Sequence, residues 1–212
     1  MSAPPDFSAR ENALQLESSA LQAIELTNQI LTYSGRTLLQ IDCVNLSRLV
    51  RDMEEMLKVS VPKGVGITYS LEDSLPGVNA DPEILRQIIS HLVVNAAESY
   101  LDRKGNITVK TGAIDCDEET LGASYLGGRL PTGKYVFLEV SDEGCGMAPT
   151  IQRRMFDPFF STKIRGQGMG LAVVLGSARA HHGAVQVESR EGKGTRIRTL
   201  FPTPKTAAAK QR

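Results

Sequence analysis

Asp142 stands where the apolar run YVFLEVS gives way to DEGCGM, so a carboxylate follows a hydrophobic strand and precedes two glycines. A carboxylate at a strand end accepts a hydrogen bond from an exocyclic amine, and Gly144 and Gly146 let a planar base approach the backbone closely. That chemistry suits adenine, although an Asx-type turn uses the same residue types. Asn95 lies within HLVVNAAESY, with His91 one turn before it and Glu98 and Ser99 one turn after, so these polar groups interrupt an apolar helix on a shared face. Asparagine inside a helix costs propensity, which implies compensation by a ligand or by buried partners. Its amide oxygen is a hard donor suited to magnesium, an ion that keeps several waters and binds few protein groups beside phosphates. A buried capping asparagine is the alternative.

In GQGMGLAVV, Gly166, Gly168 and Gly170 alternate ahead of a helix and present successive backbone N–H groups at a helix N-terminus, a ready anion site. No Gly-Lys-Ser/Thr follows, so this is not a Walker loop, and the spacing does not fit the dinucleotide fingerprint. Lys163, just upstream, is placed either to pair with a terminal phosphate or to lie solvated on the surface. FDPFFSTK gathers Phe156, Phe159 and Phe160 beside that loop. Aromatics there either anchor a mobile segment or fill the core of a short helix.

These residues need elements to hold them. Apolar Leu14, Leu21, Ile24, Ile30 and Leu31, widened by Leu16, Leu26 and Tyr33, predict one amphipathic helix from about Glu11 to Ser34, stopped by Gly35. No second helix within the first 35 residues covers that stripe, which favours docking on another copy of the chain. After an extended stretch around Gln40–Val44, Asn45 is the expected N-cap of a helix to about residue 60, with Leu46, Leu49, Val50, Met53 and Leu57 on one face. Val65–Leu71 alternates as a strand. Asp81-Pro82 opens a long helix expected to reach Arg103 and to stop at Gly105. Strands are predicted at Ile107–Ile114 and Tyr135–Ser141 with a polar loop between them. A helix over Met169–His181 and a hairpin of Val185–Ser189 with Thr195–Phe201 follow. Together they predict an α+β two-layer sandwich, a mixed sheet with helices on one face, preceded by one long amphipathic helix. Residues 1–10 read as a loose leader, 11–36 as the leading helix, 40–204 as the main domain and 205–212 as a tail.

Composition narrows the function classes. Twenty-four Lys and Arg cancel 24 Asp and Glu, so no basic excess exists for nucleic acid or an anionic membrane. Three cysteines without CxxC spacing suggest neither a disulfide framework nor a zinc site, and read as thiols of a reducing compartment. The N-terminus lacks a basic stretch followed by an apolar core, so a cytoplasmic chain, or the cytosolic part of a longer one, is expected.

The order helical Asn, strand ending in DxGxG, FxPFF and GxGxGLA before a helix resembles the ATP-binding domain of sensor histidine kinases. That domain, the Bergerat-type fold, belongs to a wider class shared with gyrase-type ATPases and heat-shock chaperones. HHGAVQVESREGKGTRIRTLFP resembles the closing Gly-containing hairpin of the family, and the resemblance covers about 40–204. It implies that Asn95 helps hold Mg2+, that Asp142 reads the adenine amine of ATP, and that Gly144 and Gly146 shape the base pocket. It also implies a lid over 147–168 and nucleotide contacts from Met147, Lys163, Gly166, Gly168, Met169, Gly170, Leu171 and Thr195.

Two departures stand out. His91 occupies a position often held by Asn in the family, and by a water-activating Glu in hydrolysing relatives. Its imidazole would touch magnesium-bound water, act as a weak base or be structural. The leading helix resembles the second helix of a kinase dimerisation hairpin, but the first helix with its phosphoacceptor histidine is missing, and His91, His181 and His182 lie in the wrong places to replace it. The resemblance therefore implies a fragment that binds Mg-ATP without autophosphorylating. Its partners would be a histidine on a dimerisation domain and, downstream, a response regulator, with a homodimer through 11–36. An ATPase or ATP-switched binding module of the same fold is the alternative.

Overall fold

The computed structural model describes residue 12 and residues 39–101, 103–126, 130–163 and 168–204. The leader, the helix expected over Glu11–Ser34, the tail and Gly166 lie outside the described residues. Helix α1 (Leu46–Ser60) begins at Asn45, whose side chain accepts from the Arg48 N–H at 3.0 Å and satisfies one of the orphan donors of the first turn. Leu46, Leu49, Val50, Met53 and Leu57 are its buried stripe, as the spacing predicts. Helix α2 (Pro82–Glu98) begins in the same way, with Asp81 accepting from the Glu83 N–H at 2.9 Å and Pro82 in the first turn. Its apolar face, from Ile84 to Ala97, is buried against the sheet and α1. Helix α5 (Gly170–Ala180) lies beside α2 in the same layer.

The sheet beneath them has five strands in the order β2 (Val65–Leu71), β4 (Gly105–Cys116), β5 (Gly133–Asp142), β7 (Thr195–Pro202) and β6 (Ala184–Ser189). β2 and β4 run parallel; the other pairs are antiparallel. The sheet is therefore mixed. Period-two alternation points Ile107 and Val109 of β4, Val136, Leu138 and Val140 of β5, and Ile197 and Phe201 of β7 into the helix layer, where they join one core. Asp142 continues the row of Val136, Leu138 and Val140 by the same alternation, so the strand that fills the core also aims the carboxylate at the helices. The register sets Asp142 opposite Thr195 and Thr195 opposite Ser189, bringing three polar residues to one rim.

Several elements differ from expectation. Helix α2 ends at Glu98 rather than Arg103: the Ser99 hydroxyl lies 2.7 Å from the Ala96 carbonyl, and Leu101 adopts a left-handed φ of 48°. Gly105 opens β4 instead of stopping the helix, and it must be glycine because a Cβ there would fall 2.0 Å from the Tyr100 ring. Two three-residue strands, β1 (Asp42–Val44) and β3 (Val78–Ala80), pair antiparallel in a separate ribbon; β3 is too short to show periodicity. The expected polar loop after β4 contains helix α3 (Glu118–Gly122), capped by Asp117, which accepts from the Thr120 N–H at 2.8 Å. Leu121 of the five-residue α3 packs with Cys116, Tyr135, Phe137, Ala184 and Leu200 on the far face of the sheet, while α1, α2 and α5 form the layer on the other, as the expected α+β two-layer sandwich requires. A single turn, α4 (Pro149–Gln152), follows the glycine loop after β5.

Candidate functional site

The carboxyl end of α2 and the glycine loop after β5 are fastened directly together. The Cys145 N–H donates to the Ser99 carbonyl at 3.0 Å, and the Gly144 N–H donates to Asp142 Oδ1 at 2.8 Å. The Ser99 hydroxyl lies 2.9 Å from that same oxygen. Glycine at 144 is a packing necessity, since a Cβ would sit 1.9 Å from Ser99 Oγ. Gly146 has φ +62°, and a Cβ there would meet the Arg190 carbonyl at 2.1 Å. Beneath the loop, the Tyr100 hydroxyl accepts from the Glu143 N–H at 2.9 Å and donates to the Asn106 carbonyl at 2.6 Å.

Burial raises the Asp142 pKa above the ordinary aspartate value, against the opposing pull of the Gly144 N–H, the Ser99 hydroxyl and the Thr195 backbone. With Oδ1 taken by these donors, Oδ2 is the oxygen left for an incoming amine. The far wall is tied in through Ser189, whose hydroxyl accepts from the Met147 N–H at 2.9 Å and lies 2.8 Å from Thr195 Oγ1. Gln152 donates to both the Met147 carbonyl (2.8 Å) and the Ser189 carbonyl (3.0 Å), securing the start of the segment that leads to the phenylalanines.

His91, Asn95 and Glu98 line one face of α2, and the amino end of α5 abuts it: a Cβ at Gly170 would lie 3.3 Å from both Asn95 Nδ2 and His91 Nδ1. No side chain caps α5, because its N-cap position is Met169, so its first N–H groups and the positive end of its dipole face this junction. Met169 is itself buried, and Leu171 packs on the core. The relative placement of the two helices depends on His181. The Asp81 N–H donates to its Nε2 at 3.0 Å, and Nδ1 lies 2.7 Å from the Ser177 carbonyl, a pairing that requires the neutral tautomer with its proton on Nδ1.

Lys163 reaches across to this face. Its ammonium donates to Asn95 Oδ1 at 3.0 Å and to the Glu98 carboxylate. The segment before it is held by the Phe159 N–H donating to the Gly168 carbonyl at 2.9 Å, by Arg154 stacked 4.3 Å above the Phe160 ring, and by Tyr125 edge-on to Phe156 at 5.0 Å. Phe156 packs on the core, whereas Phe159 is 61% exposed.

The structure thus gathers Asp142, Gly144, Gly146, Met147 and Thr195 around one end of the junction, and His91, Asn95, Lys163, Gly168 and Gly170 around the other. Ser99, Glu98, Gln152, Ser189, Tyr100 and Tyr125 complete it without having been assigned roles from the sequence. One signal was available for Ser189: a tight hairpin over 190–194 pairs it with Thr195. A groove of about 310 Å3 opens beside the same hairpin, with Asp142, Ser189, Gly194 and Thr195 in its lining together with Ser141, Glu188, Arg190, Lys193 and Arg196. Strand alternation puts Ser141, Glu188 and Arg196 on the sheet face away from α2 and α5, so the groove starts at the Asp142–Thr195 rim and extends to the face opposite Asn95.

Chemically, the junction offers a half-buried carboxylate acceptor, a helix end that favours anions, an amide oxygen that accepts a cation, and a lysine. Residues 80–205 match the family model described as histidine kinase-, DNA gyrase B- and HSP90-like ATPase. Sensor kinase CckA of Brucella abortus (strain 2308) is 30% identical over 192 residues, covering 89% of this chain and 20% of the relative. Sensor histidine kinase ZraS of Escherichia coli O157:H7 is 27% identical over 201 residues, covering 94% and 40%. The chain therefore spans between a fifth and two fifths of these relatives' lengths. Full-length ShkA, solved in complex with AMPPNP, superposes with a TM-score of 0.69 at 28% identity over 91% of this chain and 38% of that one. The catalytic domain of histidine kinase ThkA shares the fold, with a TM-score of 0.58 at 22% identity over 78% of this chain and 97% of that one. With more than half of its residues matched by the family model, the chain belongs to the histidine kinase-, DNA gyrase B- and HSP90-like ATPases.

Proposed function

We propose that this chain is the Mg-ATP-binding catalytic module of a cytoplasmic two-component sensor histidine kinase, within which residues 40–204 form the catalytic domain. It passes the γ-phosphoryl group to a histidine on a dimerisation domain, from which an aspartate of a response regulator takes it. The observation that carries this reading is the convergence of Asp142, Asn95, the uncapped start of α5 and Lys163 on one junction. The relative solved with AMPPNP supports a nucleoside triphosphate as the occupant.

Asp142 Oδ2 accepts from the adenine amine, while Gly144 and Gly146 keep the loop close enough for the base to lie flat against it. Met147 and Leu171 border the base, and Thr195, opposite Asp142 in the register, steadies the wall with Ser189. The N–H groups at Gly168, Met169 and Gly170 face the phosphates, where the helix dipole favours negative charge, and the sequence run GQGMG adds Gly166 to the same nucleotide-binding set. Asn95 fits a magnesium site, because its Oδ1 already accepts a cationic ammonium at 3.0 Å. Bound there, Mg2+ would neutralise phosphate charge and help hold the transferring group in line. Lys163 is long enough and close enough to meet the same phosphates once it leaves Asn95. His91, one turn before Asn95, would contact water held by that ion.

The acceptor is supplied by another segment. Of the three histidines, His181 is 4% exposed with both ring nitrogens engaged, His91 sits within the site, and His182 lies at the opposite end of α5 from Gly170. The helix read from the sequence at 11–36 would associate two copies. The test combines calorimetry using a non-hydrolysable ATP analogue, with and without Mg2+, and labelled ATP plus the dimerisation domain of a relative supplied in trans. Acid-labile phosphate should accumulate on that partner and not on this chain. Failure to bind nucleotide, or stable phosphohistidine on the chain itself, overturns the reading. Steady hydrolysis lost on His91→Ala would replace it with an ATPase.

A further inference from the structure

We infer that Glu98 and Lys163 form a cation-mimicking latch: without nucleotide, the Lys163 ammonium occupies a two-oxygen seat made by Asn95 Oδ1 and the Glu98 carboxylate, and a divalent cation must evict it. The inference rests on the assignment of Asn95 to the metal and adds to it a second seat residue and a competitor. Asn95 and Glu98 are three positions apart on α2, so their oxygens project from one face. A single ammonium, 68 residues along the chain from Asn95 and 65 from Glu98, contacts both oxygens. Two hard oxygens around one cation make a seat that suits a divalent ion with its remaining waters, as well as an ammonium. Both cannot be present, because a metal on Asn95 Oδ1 would take the space that the ammonium fills at 3.0 Å from that oxygen.

The latch is weak enough to open. The Lys163 and Glu98 side chains remain 36% and 47% exposed, and pairs so solvated contribute little. Opening moves more than one side chain. Lys163 follows directly on FDPFFST, which Tyr125, Arg154 and Gly168 hold against the domain, so releasing its ammonium frees the carboxyl end of that segment from α2. The same lysine is then free to turn to the phosphates. Arrival of the metal–nucleotide complex thereby exchanges a contact that closes the empty junction for one that closes the filled one.

The test uses Mn2+ alone on the nucleotide-free chain, followed by water-proton relaxation. Lys163→Gln should tighten Mn2+ binding about two- to fivefold, the range expected for removing one exposed ion-pair competitor. Glu98→Gln should weaken it by a similar factor, and Arg153→Gln, which removes a lid cation with no contact to the seat, should change it less than either. Trypsin should cut after Lys163 faster in Glu98→Gln than in the unaltered chain, and added Mn2+ should speed that cut only in the unaltered chain. A Lys163→Gln response no larger than that of Arg153→Gln, unchanged Mn2+ affinity in Glu98→Gln, or no Mn2+ uptake by any form would overturn the latch. Asn95→Ala separates the two readings. If it abolishes metal-dependent nucleotide tightening while the Glu98 and Lys163 variants are silent, only the latch fails; if it changes nothing, the metal assignment fails with it.

Discussion

Replacing Asp142 with asparagine tests base recognition most directly, because the geometry dictates how the new amide must lie. The Gly144 N–H, 2.8 Å from Oδ1, needs an acceptor, and the Ser99 hydroxyl lies 2.9 Å from the same atom. The asparagine carbonyl therefore takes the Oδ1 position and its NH2 the Oδ2 position. An incoming adenine amine then meets a donor instead of a carboxylate. Losing one hydrogen bond to a charged group costs about 1.5–3 kcal/mol, which is about ten- to 150-fold in dissociation constant. Calorimetry with ADP measures this, and GDP provides the complement: the new NH2 faces the guanine carbonyl, so the ADP-to-GDP preference should narrow or invert. The raised Asp142 pKa adds a pH signature. Acidification through that raised value protonates the acceptor, so ADP affinity of the unaltered chain should begin to fall at a higher pH than an ordinary aspartate would set, a fall that the asparagine variant lacks.

Stability should move the other way. For an acid whose folded pKa is raised, the favourable contribution is present in full below the unfolded pKa and is lost as pH rises through the folded value. At neutral pH the ionised carboxylate is thus a liability of the fold, and Asp142→Asn should unfold at equal or higher urea than the unaltered chain. Unchanged ADP affinity, or affinity lost together with the fold, would refute the assignment of Oδ2 to the base.

Three further substitutions separate positioning from binding. Asn95→Ala should abolish Mg2+-dependent tightening of nucleotide while far-UV dichroism is unchanged, since alanine is the better helix former; loss of helix would establish a structural cap instead. Gly144→Ala forces a Cβ to within 1.9 Å of Ser99 Oγ, so the loop must leave α2. Overpacking of this kind costs about 1–3 kcal/mol by urea unfolding and should remove measurable ADP binding. Tyr125→Ala deletes the ring packed at 5.0 Å against Phe156, a pair worth about 0.5–1.5 kcal/mol, and should speed proteolysis within residues 156–163 without altering secondary structure. An unchanged cleavage rate would show that Tyr125 does not anchor this segment.

The parts of the site that could be read in the sequence are those whose physics is local. Asn45 and Asp81-Pro82 announce helices because a cap acts within three residues, and α1 and α2 start where those signals stand. Asn95 and Asp142 stand out because each is a polar residue that breaks a strong apolar period. Residues whose roles depend on pairing between distant elements gave no such signal. The hairpin that pairs Ser189 with Thr195 is local, but nothing in the sequence shows that its hydroxyl meets the Met147 amide 42 residues away. Tyr125 lies in a stretch that reads as polar loop, and only the folded chain brings it to Phe156.

The end of α2 shows how these two classes of information conflict. Periodicity carries the helix toward Arg103, because Tyr100 and Leu101 are apolar and no proline intervenes. The helix stops at Glu98 because its last turn is used elsewhere: the Ser99 carbonyl accepts from Cys145, and the Tyr100 hydroxyl bridges Glu143 and Asn106. Had the helix continued, the Ser99 carbonyl would have been taken by the N–H of residue 103, and the Asp142 loop would have lost an attachment to α2. The sequence-based overrun therefore falls on the residues that build the site, as expected where tertiary hydrogen bonds outcompete local helix extension.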